Sequence, residues 1–119
     1  MENKRFMTIE SNEDLKRLLS KPTHKLGGFT LDVQNRELTF GSEIIKLTRK
    51  ETYLFVLLAD NVNNVLERSF ILETIWGENN YLNSRSMDVY ICKIRKILSK
   101  DQSIIIINLH GKGYRLIVG

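Results

Sequence analysis

The 119-residue chain has one cysteine, one proline, two histidines and one tryptophan, and these scarcities set the first limits. Cys92 has no second cysteine to pair with, so an internal disulfide is excluded. His24 and His110 are its only companions of metal-ligating type beyond the carboxylates, so a four-ligand Cys/His zinc site is excluded too. Repeats and low-complexity tracts are absent. No apolar run approaches the roughly 20 residues of a membrane-spanning helix; Ile104–Ile107 is a strand-sized tetrad. Met1 is followed by the charged Glu2, Lys4 and Arg5 rather than an apolar signal core, so a cytoplasmic location is the expectation. No motif pairs a nucleophile with a base, and Gly111-Lys112-Gly113 lacks the G-x-G-x-x-G pattern of a nucleotide cradle and precedes a strand. Neither an enzyme nor a cofactor is expected.

What is present fits one globular domain: 42% hydrophobic and 27% charged residues. The net charge of +4 is unevenly placed. Residues 1–83 hold 11 Lys/Arg against 12 Asp/Glu, whereas residues 84–119 hold seven against two. The excess positive charge sits in the last third of the chain, the electrostatic footprint of a polyanion partner. A solvated charged face is the plainer reading of charge alone.

Residues 1–22 read as an N-terminal arm or linker and residues 23–119 as the folded domain. In the arm, Phe6–Glu10 suits a short strand. Ser11 can cap a helix from Asn12 to Ser20 carrying Leu15, Leu18 and Leu19, with Asp14 in the capping-box position and Pro22 ending it. Short strands follow at Phe29–Val33, Arg36–Phe40 and Glu43–Leu47, with Lys25–Gly27 as an added edge; spacing this tight allows only antiparallel hairpins. Thr48 and Glu51 form a capping box opening a helix with a Leu54, Phe55, Leu57, Leu58 stripe, stopped near Asn61. A second helix spans about Arg68 to Trp76, with Ile71, Leu72, Ile75 and Trp76 apolar and Gly77 closing it. A polar loop, Glu78–Asn83, leads on.

The third helix carries the most information. Capped by Asn83 or Ser84, it runs to about Ser99. At about 100° per residue, Met87, Ile91, Ile94 and Leu98 share a core stripe. The opposite side carries Arg85, Val89, Cys92, Lys93, Lys96 and Lys100: four basic groups, no acid and two small apolar side chains. Ile104–Leu109 and Tyr114–Val118 then form a hairpin whose tip, His110-Gly111-Lys112-Gly113, relies on glycine for positive φ and holds Lys112 outward. A helix of about 16 residues spans roughly 24 Å, and the B-DNA major groove, about 12 Å wide, admits it. Lysines and arginines can meet phosphates or guanine, and Val89 and Cys92 can meet thymine methyls. The fold class is therefore α+β: a winged helix-turn-helix with an N-terminal antiparallel meander, three helices and a C-terminal hairpin wing.

Four segments sharpen this. Leu47-Thr48-Arg49-Lys50-Glu51, Val65-Leu66-Glu67-Arg68 running to Ile75-Trp76-Gly77, Ser84–Ile91 continuing through Lys93–Leu98, and His110–Leu116 occur in one order and spacing. Together they resemble the C-terminal DNA-binding domain of OmpR/PhoB-type two-component response regulators, from about Lys25 to Val118. The resemblance implies that the third helix enters the major groove. Arg85, Tyr90 and Arg95 then match phosphate-contacting positions, and Val89 and Lys93 base-facing ones. Ser86, Cys92 and Lys96 belong to the same DNA surface, as do Arg115 and the wing residues Asn108, His110 and Lys112. The segment Trp76, Gly77, Glu78, Asn79, Asn80, Tyr81 and Leu82 matches the loop that contacts RNA polymerase. The resemblance further implies a monomer alone and a head-to-tail dimer on direct repeats of double-stranded DNA. Pairing in the family is promoted by phosphorylation of a separate receiver domain, to which no part of this chain corresponds. The chain is then either an excised effector domain or a regulator without phosphorylation control. Cys92 stands where a basic residue is common, and His110 stands for the usual wing arginine. An imidazole is mostly uncharged near neutrality, so a weaker, mildly pH-sensitive wing contact is expected. Glu67 replaces a serine-like cap.

Structural duties compete with several of these roles. Arg95 lies close enough to Asp88 for an ion pair, Tyr90 can be mainly packing, Trp76 and Tyr114 suit the core, and Cys92 suits a small filler. Two further classes stay open: a protein-interaction module anchored by Trp76, Tyr81 and Leu82, and an RNA-binding winged helix, which the narrow A-form major groove disfavours.

Overall fold

The computed structural model describes residues 13–119. The expected strand Phe6–Glu10 and the Ser11 cap lie outside the described residues. Residues 13–19 are helical (α1). Leu15 is buried, Leu18 and Leu19 pack against the core, and the Leu18 carbonyl lies 2.9 Å from Nε2 of buried His24.

Four strands follow: β1 (Thr23–Leu26), β2 (Phe29–Asp32), β3 (Glu37–Phe40) and β4 (Glu43–Lys46), paired antiparallel in chain order. The meander expected from turn spacing is present with its edge strand. Leu26, Phe29, Leu31 and Leu38 point to one buried face, and the Phe29 and Phe40 rings stack at 4.6 Å.

Helix α2 (Arg49–Asp60) opens on the expected capping box: Thr48 Oγ1 accepts from the Glu51 N–H and Glu51 Oε1 accepts from the Thr48 N–H. It ends at Asn61. Its whole middle, Leu54 to Leu58, is buried, Val56 included. A one-sided stripe was expected. The helix instead packs against β1 on one side and against the two later helices on the other, so nearly every azimuth is covered.

Strand β5 (Val65–Glu67) was missed as a strand. It pairs with β7 (Gly113–Val118), which pairs with β6 (Ile104–Leu109), giving a three-stranded sheet in the order β5-β7-β6 rather than a bare hairpin. Between β5 and this pair lie two helices. The first, α3 (Arg68–Ile71), continues as a π-helical turn over Leu72–Trp76 and stops at Gly77 in the left-handed region, φ 82°. The expected regular helix is therefore two geometries. The wider turn buries Thr74 with Leu72 and leaves Ile75 and Trp76 only half-buried. The second, α4, covers Tyr81–Leu98. It starts earlier than expected because Asn80, not Asn83 or Ser84, is the cap: Asn80 Oδ1 accepts from the Asn83 N–H at 2.8 Å. The core stripe Met87, Ile91, Ile94 and Leu98 is buried as the periodicity required.

Candidate nucleic-acid interface

With Met87, Ile91, Ile94 and Leu98 turned inward, the helical repeat turns Arg85, Val89, Cys92, Lys93 and Lys96 outward, and all five are exposed. Val89 is 57% exposed. A valine so exposed on a basic face has no packing duty. Lys93 and Lys96 have no acid within ion-pair distance among the described residues. Lys100 departs from this: its ammonium pairs with Glu43 at 3.2 Å and ties the end of α4 to β4.

Several neighbours hold the basic face in shape. Arg85 Nη1 donates to the Tyr81 hydroxyl at 3.1 Å, one helical turn back. The Lys93 ammonium lies 5.9 Å from the Tyr90 ring, and Tyr90 meets Trp76 edge to face at 5.6 Å. Trp76 Nε1 donates to Ser86 Oγ at 3.2 Å, and Lys50 sits 5.6 Å from the indole. Trp76 and Tyr90 are thus a half-buried aromatic pair flanked by two ammonium groups. Lys50 lies far from Trp76 in the chain, and no sequence pattern links the two.

The ion pair that the sequence allows between Arg95 and Asp88 is not formed. Arg95 Nη2 donates instead to the Ile106 carbonyl at 3.1 Å, fastening α4 to β6. Asp88 belongs to Arg68, Nη1 to Oδ1 at 2.8 Å. The same guanidinium donates to the Tyr114 hydroxyl and to the Ser84 carbonyl, each at 3.1 Å, and to Ser84 Oγ. Burial works against the Arg68 charge, but Asp88 and Tyr114 outweigh it and hold the guanidinium above its ordinary pKa. Burial likewise pushes the Tyr114 phenol up, against the pull of Arg68. Arg68 lies in one of the four family-like segments, but sequence reasoning assigned it no role in the site.

The wing turns at His110-Gly111-Lys112. Gly111 takes φ 71°, and the Lys112 N–H donates to the Leu109 carbonyl at 2.8 Å. Gly113 serves another purpose than the positive φ expected of it: a Cβ there would overlap the Leu66 backbone of β5. The Arg68 N–H donates to the Lys112 carbonyl at 2.9 Å, pinning the wing to the start of α3. Asn108, His110 and Lys112 are exposed. Between wing and α4 runs an open groove of about 630 Å³, lined by Arg68, Asp88, Cys92, Arg95, Asn108, His110, Lys112 and Tyr114 among others. Arg115 is not brought to it. Strand alternation turns Tyr114 and Leu116 inward and Arg115 to the solvent face, where Nε donates to the Asn63 carbonyl at 3.2 Å.

The expected polymerase loop is split. Trp76 ends the π turn, Gly77 to Asn80 form the connection, and Tyr81 and Leu82 occupy the first turn of α4, 71% and 76% exposed. Among the described residues no cluster of His, Cys, Asp or Glu could hold a metal ion, and no helix is long and apolar enough to cross a membrane.

Comparison with known proteins agrees with this geometry. The family model described as "Transcriptional regulatory protein, C terminal" matches residues 41–116. The transcriptional regulatory protein RprY of Bacteroides fragilis is 54% identical over 94 residues, 79% of this chain and 40% of that protein. The chain thus spans about two fifths of the length of that relative. Among solved structures, the DNA-binding domain of CpxR from E. coli matches with a TM-score of 0.71 at 23% identity, covering 82% of this chain and 98% of that one. The Klebsiella pneumoniae RstA DNA-binding domain, solved in complex with the RstA box, matches with a TM-score of 0.66 at 27% identity over 82% of this chain and 98% of that one. Fold and surface together define a winged helix-turn-helix module, with α4 as its outward helix and the β6–β7 hairpin as its wing. The chain belongs to the family of C-terminal domains of transcriptional regulatory proteins, the OmpR/PhoB-type effector domains.

Proposed function

We propose that residues 23–119 bind double-stranded DNA sequence-specifically, as the output domain of a two-component transcriptional regulator acting in the cytoplasm. The carrying observation is the exposed face of α4, where Arg85, Lys93 and Lys96 surround Val89 and Cys92 beside a basic wing. Helix α4 fits the major groove. Val89 and Lys93 face bases, while Arg85, Tyr90, Arg95 and Lys96, with Ser86 beside them, take phosphates. Asn108, His110 and Lys112 follow the flanking backbone or minor groove. Arg115 reaches DNA only by leaving Asn63. The solved RstA domain in complex with its DNA box supports the reading. On direct repeats the domain pairs head to tail, and it is monomeric alone.

Salt titration tests this. The log–log slope of affinity against salt falls at about −0.9 per phosphate neutralised. A flat titration overturns the reading. Lys93→Ala relaxes sequence preference at a cost of about 1–3 kcal/mol, whereas Lys112→Ala weakens all duplexes alike. Equal losses on every sequence from both variants would remove the base-reading role of Lys93.

Exposed Tyr81 and Leu82 favour an additional protein contact, with RNA polymerase as the partner. Capture of polymerase without DNA, lost in Leu82→Ser, supports it. Capture unaffected by that change removes the pair from the contact.

A further inference from the structure

Asp88 is the only acid of α4, and its place is unexpected for an anion-binding face. It lines the groove between α4 and the wing and also a shallow depression with Arg85, Val89 and Cys92. Its side chain is 55% exposed, so it is not hidden from a ligand lying there. A bare carboxylate at that spot would repel a phosphate backbone, with little water between to screen it.

Arg68 meets this carboxylate at 2.8 Å from beneath, with its own side chain only 25% exposed. It comes from the start of α3, on neither α4 nor the wing. Its remaining donors go to Ser84 and Tyr114, so the guanidinium is held in one orientation by the helix on one side and the wing strand on the other. An arginine free to swing outward would be one more phosphate ligand. One pinned in this way is a fixed countercharge.

We infer that Arg68 is a positioning residue for DNA binding: it neutralises Asp88 and so makes the groove between α4 and the wing uniformly basic, without itself touching the nucleic acid. The inference rests on the DNA-binding reading above. It assigns part of the positive field to a guanidinium whose donors are taken up within the protein, and it predicts that the need for Arg68 disappears when Asp88 loses its charge.

The test uses the whole chain, a labelled duplex of random sequence and a series of salt concentrations, with thermal unfolding to confirm that each variant folds. Arg68→Met weakens binding about tenfold at low salt, as expected of an uncompensated like charge. Adding Asp88→Asn to it restores affinity to within about threefold of the parent. Asp88→Asn alone leaves affinity unchanged or raised. Arg68→Lys, which keeps a cation beside Asp88 but loses the fork, stays near the parent. The salt slope is shallower in Arg68→Met, because salt screens the bare carboxylate, and returns to the parent value once Asp88→Asn is added. Four results overturn the inference: no rescue by Asp88→Asn; a slope that stays shallower by about one in the double variant, which would make Arg68 a direct phosphate ligand; Arg68→Lys as weak as Arg68→Met; or Asp88→Asn alone as weak. If the parent chain shows no salt-dependent binding, the DNA reading fails and this inference falls with it.

Discussion

Single atoms decide more here than residue type suggests. Gly113 begins β7 where that strand passes closest to β5, and the space that a Cβ would need is taken by the carbonyl and Cα atoms of Leu66 and Glu67. Backbone cannot rotate aside as a side chain can, so Gly113→Ala must spread β5 from β7. A loss of about 1–3 kcal/mol is expected, as for other overpacked sites, measurable as a lower denaturant midpoint. Because the wing is tethered to α3 through Lys112 and Arg68, the same change should disturb the groove. Thr74 works in the opposite direction. Its hydroxyl is buried and has no hydrogen-bond partner among the described residues. Thr74→Val keeps the shape and removes the unpaired group, so stability should rise by about 1 kcal/mol. A fall in melting temperature would show that the hydroxyl is satisfied in solution.

At the level of elements, local signals were legible wherever the cause was local. The Thr48–Glu51 box marked the start of α2, and Thr48→Ala should cost about 1 kcal/mol of stability because two backbone N–H groups lose their arrangement together. The stripe Met87, Ile91, Ile94, Leu98 gave the inward side of α4, and with it the basic outward side, from periodicity alone. Elsewhere the cause was not local. Val56 lies off the expected stripe and is buried only because α2 has neighbours on both sides. Strand β5 has three residues and no alternation long enough to read; its partner is β7, nearly 50 residues on. Asn80, Asn83 and Ser84 are equally good caps on paper, and the fold selects the first. The π turn at Leu72–Trp76 follows no compositional rule, yet it places Trp76 against Ser86 and Tyr90. In the candidate site, exposure of Arg85, Val89, Cys92, Lys93 and Lys96 was readable. The partners of Asp88 and Arg95 were not, because choosing between Arg68 and Arg95 needs the packing of α3 beneath α4.

On the scale of the whole molecule, the sheet at the N-terminal end and the wing end are joined by polar links at the end of α4. Lys100 pairs with Glu43 on β4, and Asp101 takes the Gly28 N–H between β1 and β2 at 2.7 Å. Asp101 also accepts from the Ser103 hydroxyl and N–H at the start of the wing sheet. The Asp101 carboxylate thus links the two sheets, while its own N–H donates to the Leu98 carbonyl at 3.0 Å at the end of α4. These hydrogen bonds, the Ser103 hydroxyl foremost and then the Gly28 and Ser103 N–H groups, hold the Asp101 pKa below the ordinary aspartate value against a smaller opposing effect of burial. Asp32 is lowered in the same direction by the N–H and side-chain amide of Asn35. A carboxylate whose pKa is lower folded than unfolded contributes stability above its unfolded value, and loses it as pH falls through the folded one. Stability should therefore hold across neutral pH and decline below about pH 4. Asp101→Asn should be less stable than the parent at neutral pH, and the two denaturation midpoints should converge as the acid limb is descended, since the protonated aspartic acid is no better an anion than the amide. A gap that stays constant with pH would show that the link acts through shape alone, and that charge at this junction does not hold α4 to the first sheet.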